Sequence, residues 1–345
     1  MGNRLGWIIA GLLTLVIVGV FLAVAVFPQP TPPSNRITSP GALDQVELKA
    51  DPAVILGWSP SGGENAGAYF AQAVRKCKAG RPAIQDLLAK APSLANGKET
   101  LTDAQSAMLK EIAEAVHAGA QQASMRYVFE FTPKVVEVGA GMPEAGELQD
   151  VLNALLLYSA SLIGQKDYLP AERVYQDTLM MGYDLTRERA RVWTVKMGLG
   201  LQSAACGRLE ALYNKYMPER KTRLADLSAY RLALSDLTRS YEDKLAMLHQ
   251  FRSVKENPGD VFNMAENDKD RAWRVEAIAT LGVVKFIAPG RGDKRYAKKL
   301  IDRYLSSSDP LEAAAAKAAN DLTIEQYRTL GSRPGIANCE LQIAD

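Results

Sequence analysis

The 345-residue sequence has few of the residues that build metal and thiol sites, with only two histidines and three cysteines. A four-cysteine zinc site is therefore excluded, and a mixed cysteine and histidine site would need residues far apart in the chain. The charges are nearly balanced, with 41 lysines and arginines against 39 aspartates and glutamates. A protein that binds nucleic acid through bulk charge would carry a marked basic excess. We therefore expect no nucleic-acid partner, no metal and no cofactor.

Short motifs that carry well-defined chemistry are also missing. The sequence contains no nucleophile elbow, no His-Glu-x-x-His helix, no phosphate-binding P-loop, no Cys-x-x-Cys pair and no EF-hand loop. Carboxylates are plentiful, but none stands out from the solvated faces of predicted helices. We assign no catalytic, cofactor-binding or metal-binding residue and predict that the protein is not an enzyme.

One long hydrophobic run, residues 7–27, contains no charged residue. At a rise of 1.5 Å per residue it reaches roughly 30 Å, the thickness of the hydrocarbon layer of a bilayer. It predicts a single transmembrane helix with aromatic residues at both ends, marked along its length by Trp7, Gly11, Leu15, Gly19 and Phe27. The lipid bilayer is thus a predicted partner.

The charges that flank this run indicate its orientation. Arg4 and the free amine precede it, and only Arg36 follows within the next twenty residues. The positive-inside rule then places the N-terminus in the cytoplasm and the rest of the chain outside it, in the periplasm or the extracellular space. We expect a retained signal anchor, and cleavage near Ala23-Val24-Ala25 is the alternative interpretation.

The remainder of the chain divides by composition and periodicity. Five prolines in residues 28–45 predict an extended linker. Beyond it the hydrophobic period is helical, without runs of alternating strand residues, so the predicted class is all-α. We expect a helical-hairpin subdomain over 46–217, a second helical subdomain over 218–330 and a flexible tail over 331–345.

The first subdomain opens with a predicted helical hairpin. Its first helix covers 61–78 and is followed by Gly80 as a stop, and its short second helix runs from Pro82 to Lys90. Residues 126–138 are rich in β-formers and predict an extended segment, with a loop over 139–146.

A long helix between these segments begins at a capping-box pattern, Thr102 with Gln105, and should reach about residue 124. His117 lies beside its apolar stripe, with no carboxylate or cysteine at matching spacing. That setting is typical of a packed or solvent-facing histidine rather than a ligand or a base.

Residues 148–182 predict two helices joined by a tight turn. The turn reads Gly-Gln-Lys-Asp-Tyr over 164–168, and Ala171 and Tyr175 follow in the second helix, which Gly182 ends. This pair resembles one unit of the tetratricopeptide (TPR) repeat family. The resemblance covers about one repeat and implies stacked helix pairs that bind peptides or proteins.

Two further helices are predicted before residue 218. Thr186 can cap a helix that reaches about residue 205, and another covers 207–217. Gly198 and Gly200 fall inside this helical pattern and indicate close packing of helices.

The longest predicted helix covers 219–255. Four of its apolar residues recur at intervals of seven and form a possible interaction seam, namely Leu227, Leu234, Tyr241 and Leu248. Such a seam could form an intermolecular coiled coil, or it could pack within its own domain.

The second subdomain contains two similar helical segments, 268–282 and 309–322. They match at four positions: Asp268 with Asp309, Val275 with Ala316, Ala277 with Ala318 and Leu281 with Leu322. They resemble successive inner helices of HEAT-type repeats, with 293–305 as the outer helix between them. Asp309 and Glu312 also form a capping pair around Pro310.

Together these features predict a membrane-anchored helical-repeat protein that binds or scaffolds another protein. Two alternatives stay open. One is an enzyme with a composite acid/base site between the two subdomains, near residues 126–146, and the other is a coiled-coil oligomer formed through the seam.

Overall fold

The computed structural model describes residues 52–126, 143–249 and 257–324, and this part of the chain is all-α apart from two short strands. Numbered in chain order, the helices are α1 Pro52–Leu56, α2 Ala66–Leu88, α3 Ala91–Ala95, α4 Asp103–Ala120, α5 Pro143–Gly164, α6 Tyr168–Glu188, α7 Val192–Lys215, α8 Leu224–His249, α9 Pro258–Asn267, α10 Arg271–Ile287, α11 Arg291–Tyr304 and α12 Pro310–Asp321. A 3-10 helix, Pro218–Arg223, precedes α8. The helical period of the sequence thus predicted the class correctly.

Two strands form a small parallel sheet that the sequence did not predict. β1 covers Gly62–Asn65 and β2 covers Gln122–Ser124, so the strands flank the α2–α4 region. The Asn65 side chain accepts hydrogen bonds from the backbone N–H of Gly67 and of Arg126, and its amide donates to the Arg126 carbonyl. This one side chain caps α2 and also fixes the chain that follows β2. The predicted helix start at residue 61 was therefore wrong.

Most of the predicted hairpin over residues 61–90 is one continuous helix, α2, with Pro82 inside it. Proline usually interrupts a helix because it lacks the N–H group and its ring crowds the preceding turn. Here α2 buries Phe70, Cys77 and Ile84 on both sides of the proline, against α4 and α5. The apolar face that continues past Pro82 outweighs the local signal.

Gly182 and Thr186 also do not act as the sequence suggested. α6 continues through both to Glu188 and ends at Arg189, whose φ of 50° is left-handed. The Thr186 hydroxyl donates to the Gly182 carbonyl, one turn back in the same helix, instead of capping a new one. The next helix, α7, then runs unbroken to Lys215.

Gly182 and Gly198 are the crossing point of α6 and α7. A Cβ atom at Gly198 would lie 2.6 Å from the Gly182 carbonyl oxygen, and one at Gly182 would lie 2.6 Å from the Gly198 carbonyl oxygen. The sequence predicted close helix packing at Gly198 and Gly200. This prediction is confirmed at Gly198, whereas Gly200 faces open space.

Two groups of buried side chains form the core. One joins α2, α3, α4 and α5 with one face of α6 and with Leu201 of α7. The other joins α1, Ala120 at the end of α4 and the rest of α6 with the helices that follow. The second group includes residues on both sides of the predicted boundary at 217 and 218. It also contains three members of the seam, Leu227, Leu234 and Tyr241, which are buried within this chain. The Leu248 side chain lies outside the described residues.

α10 packs against both α11 and α12, and its N-terminus is built like that of α12. Asp270 caps α10 and Asp309 caps α12, each with φ −80° and ψ 115°. The predicted cap of α12 at Asp309 is confirmed. Asp268, which the sequence matched with Asp309, instead accepts a hydrogen bond from the Asp270 N–H.

No helix in residues 52–126, 143–249 and 257–324 is both long and apolar enough to cross a bilayer. The predicted transmembrane helix over 7–27, the linker over 28–45 and the tail over 331–345 lie outside the described residues, as does most of the predicted extended segment over 126–138.

Candidate functional site

A cleft of about 660 Å³ lies where three distant parts of the chain meet. Its walls are the chain from Ala123 to Arg126, the C-terminal turn of α6 and the N-terminal turns of α10 and α12. The sequence-based alternative placed a composite site between the two subdomains near residues 126–146. Arg126, the first residue of that segment, lines the cleft, together with residues from both predicted subdomains.

The first wall is held by the β-sheet. The Ser124 hydroxyl donates to the Glu64 carbonyl at 2.9 Å, and the Arg126 N–H donates to the Asn65 side chain at 2.7 Å. These bonds anchor the strand on its β1 side. Four consecutive residues of this wall, Ala123 to Arg126, line the cleft.

The second wall carries charged groups at the end of α6. Arg187 is exposed, whereas Asp184 on the same wall is buried and Glu188 is only partly exposed. Across the cleft Arg126 is also exposed. Within the part of the chain that the structure describes, no ion pair engages the guanidinium group of Arg126 or of Arg187. The charges that a ligand would meet first are therefore positive.

The third wall combines a satisfied ion pair with apolar surface. Arg271 binds Asp309 through two hydrogen bonds, Nε to Oδ2 at 2.6 Å and a terminal nitrogen to Oδ1 at 2.8 Å. Burial alone would raise the pKa of Asp309, but the hydrogen bonds from Arg271 and from the Leu311 N–H lower it overall. Pro310, Leu311 and Ala314 supply the apolar part of this wall.

Further arginine–carboxylate pairs hold the helices behind this wall. Arg189, just after α6, binds the α10 cap Asp270 at 2.7 Å, and Arg191 binds Glu276 of α10 at 3.1 Å. Arg274 of α10 binds Glu312 of α12 at 2.9 Å. The pairs connect α6 and α7 to α10, and α10 to α12, so they fix the relative positions of the cleft walls.

A second site joins α4 and α6. Nδ1 of His117 lies 2.9 Å and 3.1 Å from the two carboxylate oxygens of Asp177. Asp177 is buried, the His117 side chain is 32% exposed, and the Trp58 ring meets the imidazole edge-on. The sequence predicted a packed or solvent-facing histidine, and local spacing could not reveal the Asp177 carboxylate because it comes from another helix.

The chemistry of this pair follows from its geometry. Burial raises the pKa of Asp177, although hydrogen bonding to His117 opposes the shift. A carboxylate at Nδ1 fixes the orientation of an imidazole ring and leaves Nε2 as the nitrogen that can exchange a proton. The pair has the arrangement of a general base and its orienting group.

The described cysteines offer no reactive site. Cys77 and Cys206 are free and buried, and burial raises the pKa of each thiol to about 12. Within residues 52–126, 143–249 and 257–324, no group of three or more His, Cys, Asp or Glu side chains could hold a metal ion. Cys339 lies outside this part of the chain.

Comparison with known proteins found no match: no family model matches the sequence, and neither a curated protein nor a solved structure does. The function must therefore be inferred from the cleft and the histidine–aspartate pair. Sequence reasoning missed both, because neither leaves a local pattern. Arg126 and Arg187 lie far apart in the sequence, and they share a site only after β2 and α6 have packed.

Proposed function

We propose that this chain is a membrane-anchored helical-repeat protein that binds a segment of another protein in the cleft described above. The observation that carries the proposal is the cleft itself, about 660 Å³ in volume, with apolar surface on one wall and two exposed arginines on the others. Sites that combine apolar surface with a few convergent polar groups are the usual places of ligand binding.

The shape of the cleft favours a polypeptide over a small molecule. Ala123 and Ser124 of β2 line it, and β2 pairs only with β1 in the described part of the chain. A strand edge that has no partner can hydrogen-bond to an extended peptide. The apolar surface of Met125 and Leu311 could then contact alternate side chains of that peptide.

The helical architecture is consistent with a repeat protein of the TPR and HEAT kind. α6 and α7 pack closely over much of their lengths, and α10 packs against both α11 and α12. Stacked helix pairs of this kind form extended surfaces that bind proteins in many families. These packings support the proposal of an α-solenoid-like domain.

The hydrophobic run over residues 7–27 supports the proposed membrane anchor. With the N-terminus in the cytoplasm, the helical domain would lie on the periplasmic or extracellular side. Added protease should then digest the domain in intact cells or spheroplasts. Digestion only after the bilayer is broken would contradict this orientation.

Site-specific photo-crosslinking tests partner binding in the membrane-inserted full chain. A benzoylphenylalanine at Ser124 lies in the cleft, and one at Leu232 of α8, which is 67% exposed, serves as the matched surface control. We expect a discrete crosslinked protein from position 124 and none from position 232. No product at position 124, or the same products from both positions, would contradict the proposal.

The His117 and Asp177 pair supports a second candidate, an enzyme that uses His117 as a general base. Purified protein would be assayed on ester, amide and phosphate substrates. An enzyme should lose about a hundredfold or more of its rate in H117Q, as is typical when a general base is removed. Equal rates in wild type and H117Q would eliminate this candidate.

Burial of Leu227 and Leu234 within the chain leaves the coiled-coil alternative without an exposed seam at these positions. Light scattering of the purified full chain tests it directly. A coiled-coil oligomer should dissociate in L234K, whereas packing within the chain predicts that this variant unfolds.

A further inference from the structure

Building on the proposed function, we infer that the segment bound in the cleft is an extended, carboxylate-rich peptide that pairs with β2. The charges that face the cleft specify the charge of the ligand, and the strand that lines the cleft specifies its conformation.

The exposed charges of the cleft are positive. Arg126 and Arg187 stand on two different walls, both are exposed, and neither has an ion-pair partner among the described residues. The third arginine of the cleft, Arg271, is already bound through two hydrogen bonds to Asp309. The acidic groups of the α6 wall, Asp184 and Glu188, are less exposed than Arg187. An incoming ligand therefore meets two guanidinium groups, which bind carboxylates through strong, directional hydrogen bonds.

Within the described residues, β2 has one edge that pairs with no other strand. The chain from Ala123 to Arg126 runs along the cleft, and its β1 side is held by Ser124 and Asn65. The opposite side of β2 has no strand partner in the described part of the chain. A peptide that adds to this edge would place alternate side chains on the same side. A peptide of alternating apolar and acidic residues would thus direct one set to Leu311 and Ala314 and the other to the arginines.

A concave site of this kind distinguishes a peptide from other acidic surfaces. A bilayer is flat on the scale of the cleft, and its headgroups could reach only the rim. Nucleic acid would require a broad basic surface, whereas the chain as a whole is nearly neutral. We therefore commit to a peptide and treat binding of anionic vesicles as an outcome that would overturn the inference.

Fluorescence anisotropy with the purified full chain provides the test. The probes are labelled short peptides of alternating valine with glutamate, glutamine or lysine. We expect the glutamate peptide to bind at least about tenfold more tightly than the glutamine peptide, and its affinity to fall as salt is added. R126E and R187E should each weaken the glutamate peptide about tenfold or more, and R187E should gain affinity for the lysine peptide. Arg295 is an exposed residue of α11 outside the cleft, so R295E should change the affinity for neither the glutamate peptide nor the lysine peptide.

Hydrogen exchange tests the pairing with β2. The glutamate peptide should slow amide exchange in residues 122–126, and circular dichroism should confirm that the variants remain folded. The inference is overturned if no peptide binds, if the glutamate and glutamine peptides bind equally, if R295E acts like R187E, or if exchange at 122–126 is unchanged. It is also overturned if vesicles containing phosphatidylserine bind while the glutamate peptide does not. If these tests fail but benzoylphenylalanine at position 124 still crosslinks a protein, the acidic peptide is refuted as the ligand. The proposed function of binding a protein segment would then remain.

Discussion

The crossing of α6 and α7 provides the sharpest test of the packing, through two glycines that are close in sequence and differ in environment. Gly198 faces the Gly182 carbonyl and Thr186, whereas a methyl group added at Gly200, in the same helix, would have no neighbouring atom within 4 Å. Replacing a glycine in a helix by alanine stabilises the helix by about 1 kcal/mol when the methyl group has room. G200A should therefore raise the free energy of unfolding by up to about 1 kcal/mol.

G198A should have the opposite effect. Its Cβ would lie 2.6 Å from the Gly182 carbonyl oxygen and 2.9 Å from the Thr186 nitrogen, and the first distance is about 0.9 Å shorter than an optimal contact of about 3.5 Å. Since the nearby atoms are mostly backbone, the two helices must separate. Overpacking of this kind costs about 1–3 kcal/mol.

Separation of the helices would also disturb a buried hydrogen-bond network at the crossing. The Gln202 amide donates to the Thr186 hydroxyl at 2.8 Å, and the Tyr230 hydroxyl donates to the Gln202 carbonyl oxygen. A buried polar group that loses its partner costs about 1–3 kcal/mol. After the gain in helix propensity we expect G198A to be destabilised by about 2 kcal/mol.

Urea unfolding followed by circular dichroism at the helical band measures both variants. Similar dependence of the unfolding free energy on urea in all three proteins would show that the comparison is valid. The predicted order of stability is G200A, wild type, G198A. If G198A proved as stable as G200A, the close approach of α6 and α7 at this point would be refuted.

Three further predictions concern single side chains. Burial raises the pKa of Asp177, so its carboxyl group stabilises the fold fully below the ordinary pKa of aspartate, and this stabilisation is lost as pH rises through the folded-state pKa. D177N should remove this decline from a pH series of unfolding free energies, and an unchanged decline would contradict the prediction. Because burial raises the pKa of each thiol to about 12, Cys77 and Cys206 should resist maleimide at pH 8 in the folded chain and react after denaturation. Mass spectrometry would measure the labelling, and fast labelling of the native protein would contradict the prediction. N65A should lose about 1–2 kcal/mol of stability and speed amide exchange at Arg126, because the Asn65 side chain both caps α2 and holds the chain after β2. Unaltered exchange at Arg126 would show that Asn65 does not anchor the cleft wall formed by Ala123 to Arg126.

Local signals in the sequence predicted local structure well. Thr102 and Gln105 form the expected capping box, with the Gln105 N–H donating to the threonine hydroxyl and the Thr102 N–H to the glutamine side chain. Asp309 caps α12 by accepting from the Leu311 N–H, while the Glu312 side chain accepts from Arg274 and Ser307 and does not close a capping box. The capping contacts span three residues or fewer, so the sequence pattern contains everything needed to infer them.

Signals that depend on tertiary packing were misleading or silent. Pro82 and Gly182 are ordinary helix terminators in isolation, yet both lie inside helices whose apolar faces continue past them. The contact between His117 and Asp177 spans 60 positions, so no local spacing could reveal it. The cleft depends on the packing of β2, α6, α10 and α12 and is equally hidden from local patterns. The class of the fold follows from the helical period, but its site does not.

Competition at the cleft would test most directly whether a partner segment binds there. The full chain with benzoylphenylalanine at Ser124 would be irradiated in its native membrane with increasing amounts of the valine–glutamate peptide or of the valine–lysine peptide. We predict that the acidic peptide suppresses the crosslinked protein in a dose-dependent manner and that the basic peptide does not. A crosslink that persists at saturating acidic peptide would mean that the cleft is not where the partner binds.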